Sequence, residues 1–435
     1  MIWDVENECM DVEQRRELQL HRLRSTVARL AATVPYYRDQ FAQAGLDPLD
    51  IQSLEDLQHV PFTTKDGMRE TYPTGMFAAP MSEIVRIHSS SGTTGTPILA
   101  AYTQADVDIW AETIARTICL GGGSKGDILQ VAYGYGLFTG GLGLHYGGER
   151  VGCTVIPMSA GNTRRQLMMM RDLKSTILAC TPSYALTLAD EAAEGGISPD
   201  ELGLKSGLLG AEVWSDSIRS TIEQMLNIKA HDIYGLTEII GPGVSAECEY
   251  QCGLHVCDDH FIPEVIDPAT GKPLPEGEQG ELVFTCITKQ AFPVIRFRTR
   301  DITRLHYDTC ECGRTSARME RITGRTDDML IIRGVNIFPS QIEHVLINME
   351  ETLPHYQLVV TKEGRLDVLE VQVEVSPTLL ADTIRVLETL EMKIRSELVS
   401  ALGVRCRVKL VEPKSIERSI GKAKRVIDLR KERQI

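Results

Sequence analysis

Apolar strand-like runs alternate with helical patterns over residues 84–234, and this alternation constrains the fold more than any other feature. The strand-like runs cover residues 128–132, 154–157, 176–180 and 207–209, and the helical patterns cover residues 164–173 and 215–226. Strands that alternate with helices along a chain form a mainly parallel sheet with helices packed on its faces. We therefore predict an α/β fold with a predominantly parallel central sheet.

The segments on either side of this region have different patterns. Leucine and valine recur at three- and four-residue spacing from residue 12 to about residue 45, which predicts two amphipathic helices. From about residue 261, short strands separated by turns predict a β-rich subdomain. After residue 328 the order strand, helix, two strands, long helix and strand is typical of a small α+β unit. Since 435 residues exceed one ordinary core, we predict a large N-terminal domain (1–326) and a small C-terminal domain (327–435).

Composition disfavours several classes of function. The chain has 46 Lys and Arg against 60 Asp and Glu, a net charge of −14, so a nucleic-acid or anionic-membrane partner would need a local basic patch. Basic residues gather in the tail at 418–433, where a solvated face and a functional one are both open interpretations. No apolar run reaches membrane-spanning length, and no signal peptide is evident. The eleven cysteines then indicate reduced thiols or metal ligands. We expect a cytoplasmic protein with small-molecule partners, no nucleic acid and no membrane.

A run rich in glycine and hydroxyl side chains occupies residues 89–97, between strand-like segments at 84–88 and 98–102. Glycines let the backbone approach a polyanion, several N–H groups can converge on it, and hydroxyls add neutral donors. A flexible linker has the same composition, but the flanking segments are typical of strands that close a hairpin-like loop. The run predicts a phosphate-binding loop made of Ser90, Ser91, Gly92, Thr93, Thr94 and Gly95.

Two separated pairs of residues are candidate zinc ligands: Cys248 with His255, and Cys310 with Cys312. Their spacing departs from the common finger pattern, and Cys252 and Cys257 are alternative ligands or bystanders. A structural Zn²⁺ and free reduced thiols are therefore both open. A closed four-ligand site would brace the β-rich subdomain and take no part in catalysis.

Six separated segments, in order, resemble the signature motifs of the adenylate-forming acyl-CoA synthetase superfamily. They are the glycine-rich loop, Tyr234-Gly235-Leu236-Thr237-Glu238, Arg298-Thr299-Arg300-Asp301, Gly324-Arg325-Thr326-Asp327-Asp328, the segment 332–339, and Gly421-Lys422. Segments 133–141, 210–215 and 310–314 are similar to the phenylacetate-CoA ligase family. The resemblance covers nearly the whole chain. It implies ATP-dependent ligation of an aryl acid, with phenylacetate favoured, to coenzyme A through an acyl-adenylate.

The resemblance also implies roles for individual residues. Lys422 matches the catalytic lysine, with Lys424 as its alternative. Glu238 would bind Mg²⁺, with Thr237 near the phosphate, and Asp301 would accept hydrogen bonds from the ribose hydroxyls. The other residues implied to contact ATP or coenzyme A are Gly210, Ala211, Glu212, Asp232, Tyr234, Gly235, Arg325 and Gly334.

The implied acyl pocket and hinge complete the set. The pocket would be aromatic and apolar, although such residues are also typical of plain core. Its implied lining is Tyr133, Phe138, Ala211, Ile240 and Pro242. Asp327 is the implied pivot about which the small domain rotates between the two half-reactions. Dimers are common among similar proteins, so we expect a homodimer.

Thr96 departs from the family pattern. The family's glycine-rich loop usually carries lysine immediately before the proline, and this chain has Thr96 there. A missing cation predicts weaker ATP binding, while amides and hydroxyls could still hold the phosphates. Two alternatives stay open: a relative that adenylates another acid or a cofactor without coenzyme A, and an inactive binding homologue.

Overall fold

The computed structural model describes residues 1–90, 96–333, 335–349, 351–363, 366–380, 384–418 and 425–430. The following candidate residues lie outside this part of the chain: Ser91, Gly92, Thr93, Thr94, Gly95, Gly334, Lys422 and Lys424.

Within the described residues, the helices are α1 Val5–Glu8, α2 Val12–Thr33, α3 Pro35–Ala44, α4 Lys65–Glu70, α5 Gln104–Leu120, α6 Gly140–Val151, α7 Thr163–Leu173, α8 Pro182–Glu194, α9 Pro199–Leu202, α10 Asp216–Leu226, α11 Pro339–Ile347, α12 Pro377–Leu380 and α13 Ile384–Leu402. The strands are β1 Arg86–Ser89, β2 Leu99–Tyr102, β3 Ile128–Val131, β4 Thr154–Ile156, β5 Ile177–Cys180, β6 Ser206–Gly210, β7 Lys229–Leu236, β8 Gly241–Glu247, β9 Leu254–Val256, β10 Phe261–Ile266, β11 Gly280–Cys286, β12 Phe297–Thr303, β13 Leu305–His306, β14 Arg318–Met319, β15 Gly324–Arg325, β16 Leu330–Ile332, β17 Val335–Ile337, β18 Thr352–Glu363, β19 Leu366–Val375, β20 Arg407–Val411 and β21 Val426–Asp428.

The largest sheet has the order β13-β14-β9-β8-β7-β6-β5-β3-β4. Its five strands from β4 to β7 are parallel, as the alternating pattern predicts. The other four are antiparallel, because the short turn between β7 and β8 can join only an antiparallel pair. The sheet is therefore mixed, and its antiparallel part begins before residue 261, where we expected the β-rich region to start.

Three smaller sheets follow: two of them belong to the large domain and one begins the small domain. Strands β1 and β2 form the expected antiparallel hairpin, with Ser89 opposite Leu99. An antiparallel sheet has the order β10-β11-β12-β15, which ends with Asp301 of β12 opposite Arg325 of β15. Beyond it, β16 and β17 pair as a short hairpin.

The small domain contains the sheet β20-β19-β18-β21 with α11 and α13 packed against it. The apolar residues of this unit form a buried cluster of their own, which includes Ile342, Leu358 and Ile394. Two other buried clusters fill the large domain, one of them between β5, β6 and helices α7, α8 and α10. The architecture is thus a large α/β domain followed by a smaller α+β domain. Within the described parts of the chain, no helix has both the length and the apolar character that crossing a bilayer requires.

Candidate active site

The candidate residues gather where the parallel strands end. Tyr133 follows β3, Gly210 is the last residue of β6, and Tyr234 lies near the end of β7. Carboxyl ends of parallel strands meet at one edge of a sheet, which is where open α/β folds bind their ligands. The topology thus brings together residues that lie about a hundred positions apart in the sequence.

Close backbone packing explains two of the glycines in these motifs. A Cβ atom on Gly210 would lie 2.0 Å from the carbonyl oxygen of Ile233, and one on Gly235 would lie 1.9 Å from that of Gly241. Neither carbonyl can move without breaking the sheet. A side chain at either position would therefore displace the strand ends that present Tyr234 and Ala211.

Asp301 is a buried carboxylate that accepts hydrogen bonds from Tyr234 and Arg325. The hydroxyl of Tyr234 donates to its Oδ2 at 2.6 Å, and Nη1 of Arg325 donates to its Oδ1 at 2.8 Å. Burial, followed by the negative charge of Asp301, raises the pKa of Tyr234 well above its ordinary value, so the hydroxyl stays protonated and remains a donor. The site therefore contains an oriented carboxylate, a group that can accept several hydrogen bonds and donates none.

Arg325 joins this carboxylate to the candidate hinge. Its Nε and Nη2 donate to the two carboxylate oxygens of Asp327 at 2.9 and 3.0 Å, while Nη1 contacts Asp301. Burial lowers the pKa of Arg325, but the nearby carboxylates outweigh this effect and raise it overall, so the guanidinium keeps its charge. One arginine thus connects a residue of the large domain to the start of the small one.

Glu238 lies in the turn after β7 and is almost fully buried. Among the described residues no donor has hydrogen-bond geometry to its Oε1, although Nζ of Lys65 lies 3.3 Å away. A buried carboxylate oxygen that lacks such a donor is a suitable ligand for Mg²⁺. The residues present therefore fit the predicted magnesium role of Glu238.

Two lysines near Glu238 were not among the sequence candidates. Lys65 begins α4, and Lys289 is fully buried, with Nζ donating to the carbonyl oxygen of Ile239 at 2.7 Å. The Nζ of Lys289 also lies 4.3 Å from the ring centroid of Tyr102. Burial lowers the pKa of Lys289 to about 8. No sequence pattern could have identified Lys289, because its neighbours come from distant segments.

Tyr133 and the loop after β3 contact the ends of β6 and β1. The hydroxyl oxygen of Tyr133 accepts a hydrogen bond from the backbone N–H of Gly210 at 2.9 Å. The carbonyl oxygen of Leu137 accepts from the N–H of Ser89 at 2.9 Å and from Nδ1 of His88 at 3.0 Å. The end of β1 and the candidate acyl segment are therefore joined at one carbonyl.

The other candidate pocket residues differ in exposure. Phe138 is 53% exposed and Ala211 is also exposed, whereas the side chain of Ile240 is fully buried in the core. The backbone carbonyl of Pro242 accepts from Nε1 of Trp110 at 2.8 Å. Tyr133, Phe138 and Ala211 are therefore better placed to contact a ligand than Ile240.

Asp232 and Glu212 already have protein partners. Asp232 is buried and accepts from Nε of Arg321 at 3.2 Å, and burial raises the pKa of Asp232 to about 6. Glu212 accepts from the N–H and the hydroxyl of Ser183 at 3.1 and 2.8 Å. Both carboxylates help to fix the segment around the end of β6 and β7.

Backbone and side-chain hydrogen bonds fix the hairpin on either side of the candidate phosphate-binding loop. The N–H of Ser90 donates to the carbonyl oxygen of Ile98, and its Oγ accepts from the N–H of Ile98, both at 3.0 Å. Thr96 is exposed at the other end of the loop. The two strands thus hold residues 90 and 98 together, as the hairpin-like pattern predicts.

The structure brings together the four candidate zinc ligands Cys248, His255, Cys310 and Cys312. The sulfur atoms of Cys248 and Cys310 are 3.8 Å apart, and Nε2 of His255 is 3.5 Å from the sulfur of Cys312. Zn–S bonds of about 2.3 Å at tetrahedral angles place sulfur atoms roughly 3.8 Å apart, so the four atoms fit a zinc ion. Nδ1 of His255 lies 3.3 Å from Oγ of Ser316, a contact that can orient the ring.

The two alternative cysteines are outside this set of four. Sγ of Cys252 lies 3.6 Å from that of Cys310, but it also accepts from Nη1 of Arg318 at 3.1 Å, and the residue is exposed. Cys257 is buried and is not part of the group. The ligand set with His255 is therefore the better candidate.

Family models match most of the chain. The model described as AMP-binding enzyme matches residues 13–286, and the model described as AMP-binding enzyme C-terminal domain matches residues 334–430. A phenylacetate-coenzyme A ligase from Thermus thermophilus is 48% identical over 99% of this chain and 100% of its own length. One from Escherichia coli is 49% identical over 97% of this chain and 97% of its own length.

Solved structures are similar as well. 2-Hydroxyisobutyryl-CoA ligase in the postadenylation state, in complex with R3-HIB-AMP, has a TM-score of 0.90 at 32% identity, over 97% of this chain and 91% of that chain. The same ligase in complex with 2-HIB-AMP and CoA in the thioesterification state has a TM-score of 0.71 at 33% identity, over 98% of this chain and 92% of that chain.

Proposed function

The chain belongs to the phenylacetate-coenzyme A ligase family of AMP-binding enzymes, and from this premise we propose that it ligates phenylacetate to coenzyme A with consumption of ATP. AMP and pyrophosphate are the other products. The observation that carries the proposal is the sequence identity of 48–49% to phenylacetate-coenzyme A ligases over nearly the full length of both chains. The oriented carboxylate of Asp301 and the buried carboxylate of Glu238 support it.

In the first half-reaction, a carboxylate oxygen of the acid attacks the α-phosphorus of ATP and the bond to pyrophosphate breaks. Two anions must meet, so a cation should lie beside both. Lys422 is the proposed cation, as its Gly-Lys motif implies. Glu238 would hold Mg²⁺, which offsets phosphate charge when it is bound, and Thr237 would lie near the phosphate.

The nucleotide would be held by residues already in position. Asp301 would accept from the ribose hydroxyls while Tyr234 and Arg325 fix its orientation. The ring of Tyr234 would stack on adenine, beside the segment Gly210-Ala211-Glu212. The phosphates would lie against the loop that begins at Ser90. The aryl ring of the acid would lie near Tyr133 and Phe138.

In the second half-reaction, the thiol sulfur of coenzyme A attacks the acyl carbon, loses its proton, and AMP leaves. The small domain would rotate about Asp327 to admit the thiol, and Gly334 would let pantetheine pass close to the backbone. The higher TM-score to the postadenylation structure than to the thioesterification structure supports an adenylation-type arrangement here.

Three finer features belong to the same proposal. Cys248, His255, Cys310 and Cys312 would hold a structural Zn²⁺ remote from the chemistry. The protein would act in the cytoplasm. It would form a homodimer, which size-exclusion chromatography with light scattering tests.

Pyrophosphate release with a panel of aryl and aliphatic acids tests the function. We expect the highest kcat/KM with phenylacetate, and AMP release that depends on coenzyme A. Adenylation with AMP release independent of coenzyme A would favour the relative that uses another acceptor, and no release with any acid would favour an inactive homologue.

Lys422→Ala tests the catalytic residue. We expect phenylacetate-dependent ATP–pyrophosphate exchange to fall by at least about 100-fold, because the residue is proposed to stabilise charge in the transition state. Lys424→Ala, two residues away, is the matched control and should retain the exchange. The opposite pattern would assign the role to Lys424.

A further inference from the structure

Glu343 is a buried carboxylate that joins the two domains. It lies on α11 of the small domain and is 4% exposed. Its Oε1 accepts from the backbone N–H of Ser215 in the large domain at 3.2 Å, and its Oε2 accepts from the hydroxyl of Tyr356 at 2.8 Å. Nε of Arg425 lies 3.6 Å from Oε2. One side chain therefore contacts the large domain, the small-domain sheet and the C-terminal segment.

Arg425 connects this carboxylate to the segment that carries Lys422. Its guanidinium lies 4.3 Å from the ring centroid of Tyr356, and its carbonyl oxygen accepts from the N–H of Leu358 at 2.7 Å. β21 follows directly and pairs with β18. Lys422 precedes Arg425 by three residues. Arg425, which follows Lys422 in the chain, is therefore fixed at a point that faces Glu343.

Among these contacts of Glu343, the one with Ser215 depends on how the two domains are arranged. Ser215 is the N-cap of α10, where a carboxylate is favoured by the helix dipole. Glu343, Tyr356 and Arg425 all belong to the small domain and would move together, whereas Ser215 would stay with the large domain. A rotation would leave Oε1 of Glu343 without this donor, and a buried charge loses stability when a donor is removed.

Another ion pair between the domains is much more exposed than the contacts of Glu343. Lys414 pairs with Glu194 at 2.6 Å, but the two side chains are 60% and 53% exposed. Exposed pairs contribute little, because water and salt screen them. Glu343 is thus better placed than Lys414 to favour this arrangement of the domains.

We propose that Glu343 is a positioning residue for adenylation: through Tyr356 and Arg425 it ties α11 to β18 and to the residue before β21, and through Ser215 it docks this part of the small domain on the large domain in this arrangement alone. The inference rests on the proposed function, since it assigns Glu343 to one of the two half-reactions. The thiolation half-reaction, which uses the other arrangement, does not use the contact.

The test measures the half-reactions separately. Adenylation is followed by phenylacetate-dependent ATP–pyrophosphate exchange, and thiolation by thioester formation from prepared phenylacetyl-adenylate and coenzyme A. For Glu343→Gln, which keeps the size but removes the charge, we expect adenylation about tenfold slower and thiolation within about twofold of the wild type. Tyr356→Phe, which removes one hydroxyl, should shift adenylation in the same direction by a smaller factor. Lys414→Gln is the control and should change neither rate by more than about twofold.

Several results would overturn the inference. A Glu343→Gln variant with normal adenylation, or with both half-reactions slowed equally, would show that the residue is not specific to adenylation. Should that variant fail to fold, as judged by thermal unfolding, an unaffected adenylation rate in Tyr356→Phe would overturn it instead. If the wild-type protein showed no ATP–pyrophosphate exchange with any acid tested, the proposed function itself would be refuted. This result differs from a failure of the inference about Glu343, in which the wild type is active.

Discussion

Tyr234 shows, at the residue scale, how the protein orients the buried carboxylate that we propose binds the ribose. Its hydroxyl and Arg325 fix the two oxygens of Asp301. Tyr234→Phe should therefore raise KM for ATP about three- to tenfold with little change in kcat, since one charge-assisted hydrogen bond is lost. Steady-state kinetics with varied ATP measure this. Tyr307→Phe, at a half-exposed tyrosine, is the control, and an unchanged KM in Tyr234→Phe would contradict the proposed role of Asp301.

Thr96 offers a second prediction at the scale of one residue. It is exposed at the end of the candidate phosphate-binding loop, at the position where the family resemblance implies a lysine. Thr96→Lys should lower KM for ATP severalfold, because an ammonium group would face the phosphates. The gain should shrink as ionic strength rises. A KM that does not change, or that rises, would indicate that this position does not face the nucleotide.

Lys289 predicts a pH dependence of stability. Its pKa in the folded protein is about 8, below the ordinary value of 10.5. Between these two pH values the unfolded chain binds more protons than the folded chain, so the free energy of unfolding rises with pH. From pH 8 to 9.5 the wild type should gain about 1–2 kcal/mol relative to Lys289→Met. Urea unfolding at both pH values tests this, and parallel curves for the two proteins would contradict it.

The strands and loops around the candidate zinc site form a unit at the scale of elements. β9 pairs with β14, and the loop between β13 and β14 supplies Cys310 and Cys312. The ligands are thus provided by segments that are distant in sequence, and a bound ion would hold them together.

Cys312→Ser should therefore remove zinc and lower Tm by about 5 °C, while kcat of the folded enzyme changes little. Metal analysis and calorimetry measure the two effects. Cys252→Ser should keep both zinc and Tm, because Cys252 is exposed and outside the group of four. If purified wild-type protein contained no zinc, the proposed zinc site would be wrong.

Asp327 gives a prediction at the scale of the whole molecule. It follows β15, whose residue Arg325 still pairs with the large domain, and it precedes β16 of the small one. Asp327→Pro should slow the overall reaction at least about tenfold, because proline restricts the backbone rotation proposed there. Asp327→Ala removes the same contact with Arg325 but leaves the backbone free to rotate. Its overall rate should therefore fall much less than that of Asp327→Pro. If Asp327→Pro kept normal rates for both half-reactions and for the overall reaction, the pivot would lie elsewhere.

Much of the architecture could be predicted from local patterns. The alternating runs predict the parallel strands β3 to β6, and the flanks of the glycine-rich run predict the β1–β2 hairpin. The antiparallel strands β8, β9, β13 and β14 were not assigned to the same sheet. Their pairing depends on turns and long-range contacts, and periodicity says nothing about which sheet a short strand joins.

The chain by itself determined the order of its elements, its motif residues and its family, because propensity, periodicity and signature segments are properties of neighbouring residues. Only the tertiary structure decided which partners the charged side chains meet: Lys65 meets Glu238, Lys289 meets the carbonyl oxygen of Ile239, and Glu343 meets the backbone N–H of Ser215. The physical reason is that burial and hydrogen bonding act through space. The chemistry of a carboxylate or an ammonium group is therefore set by segments that are distant in the sequence.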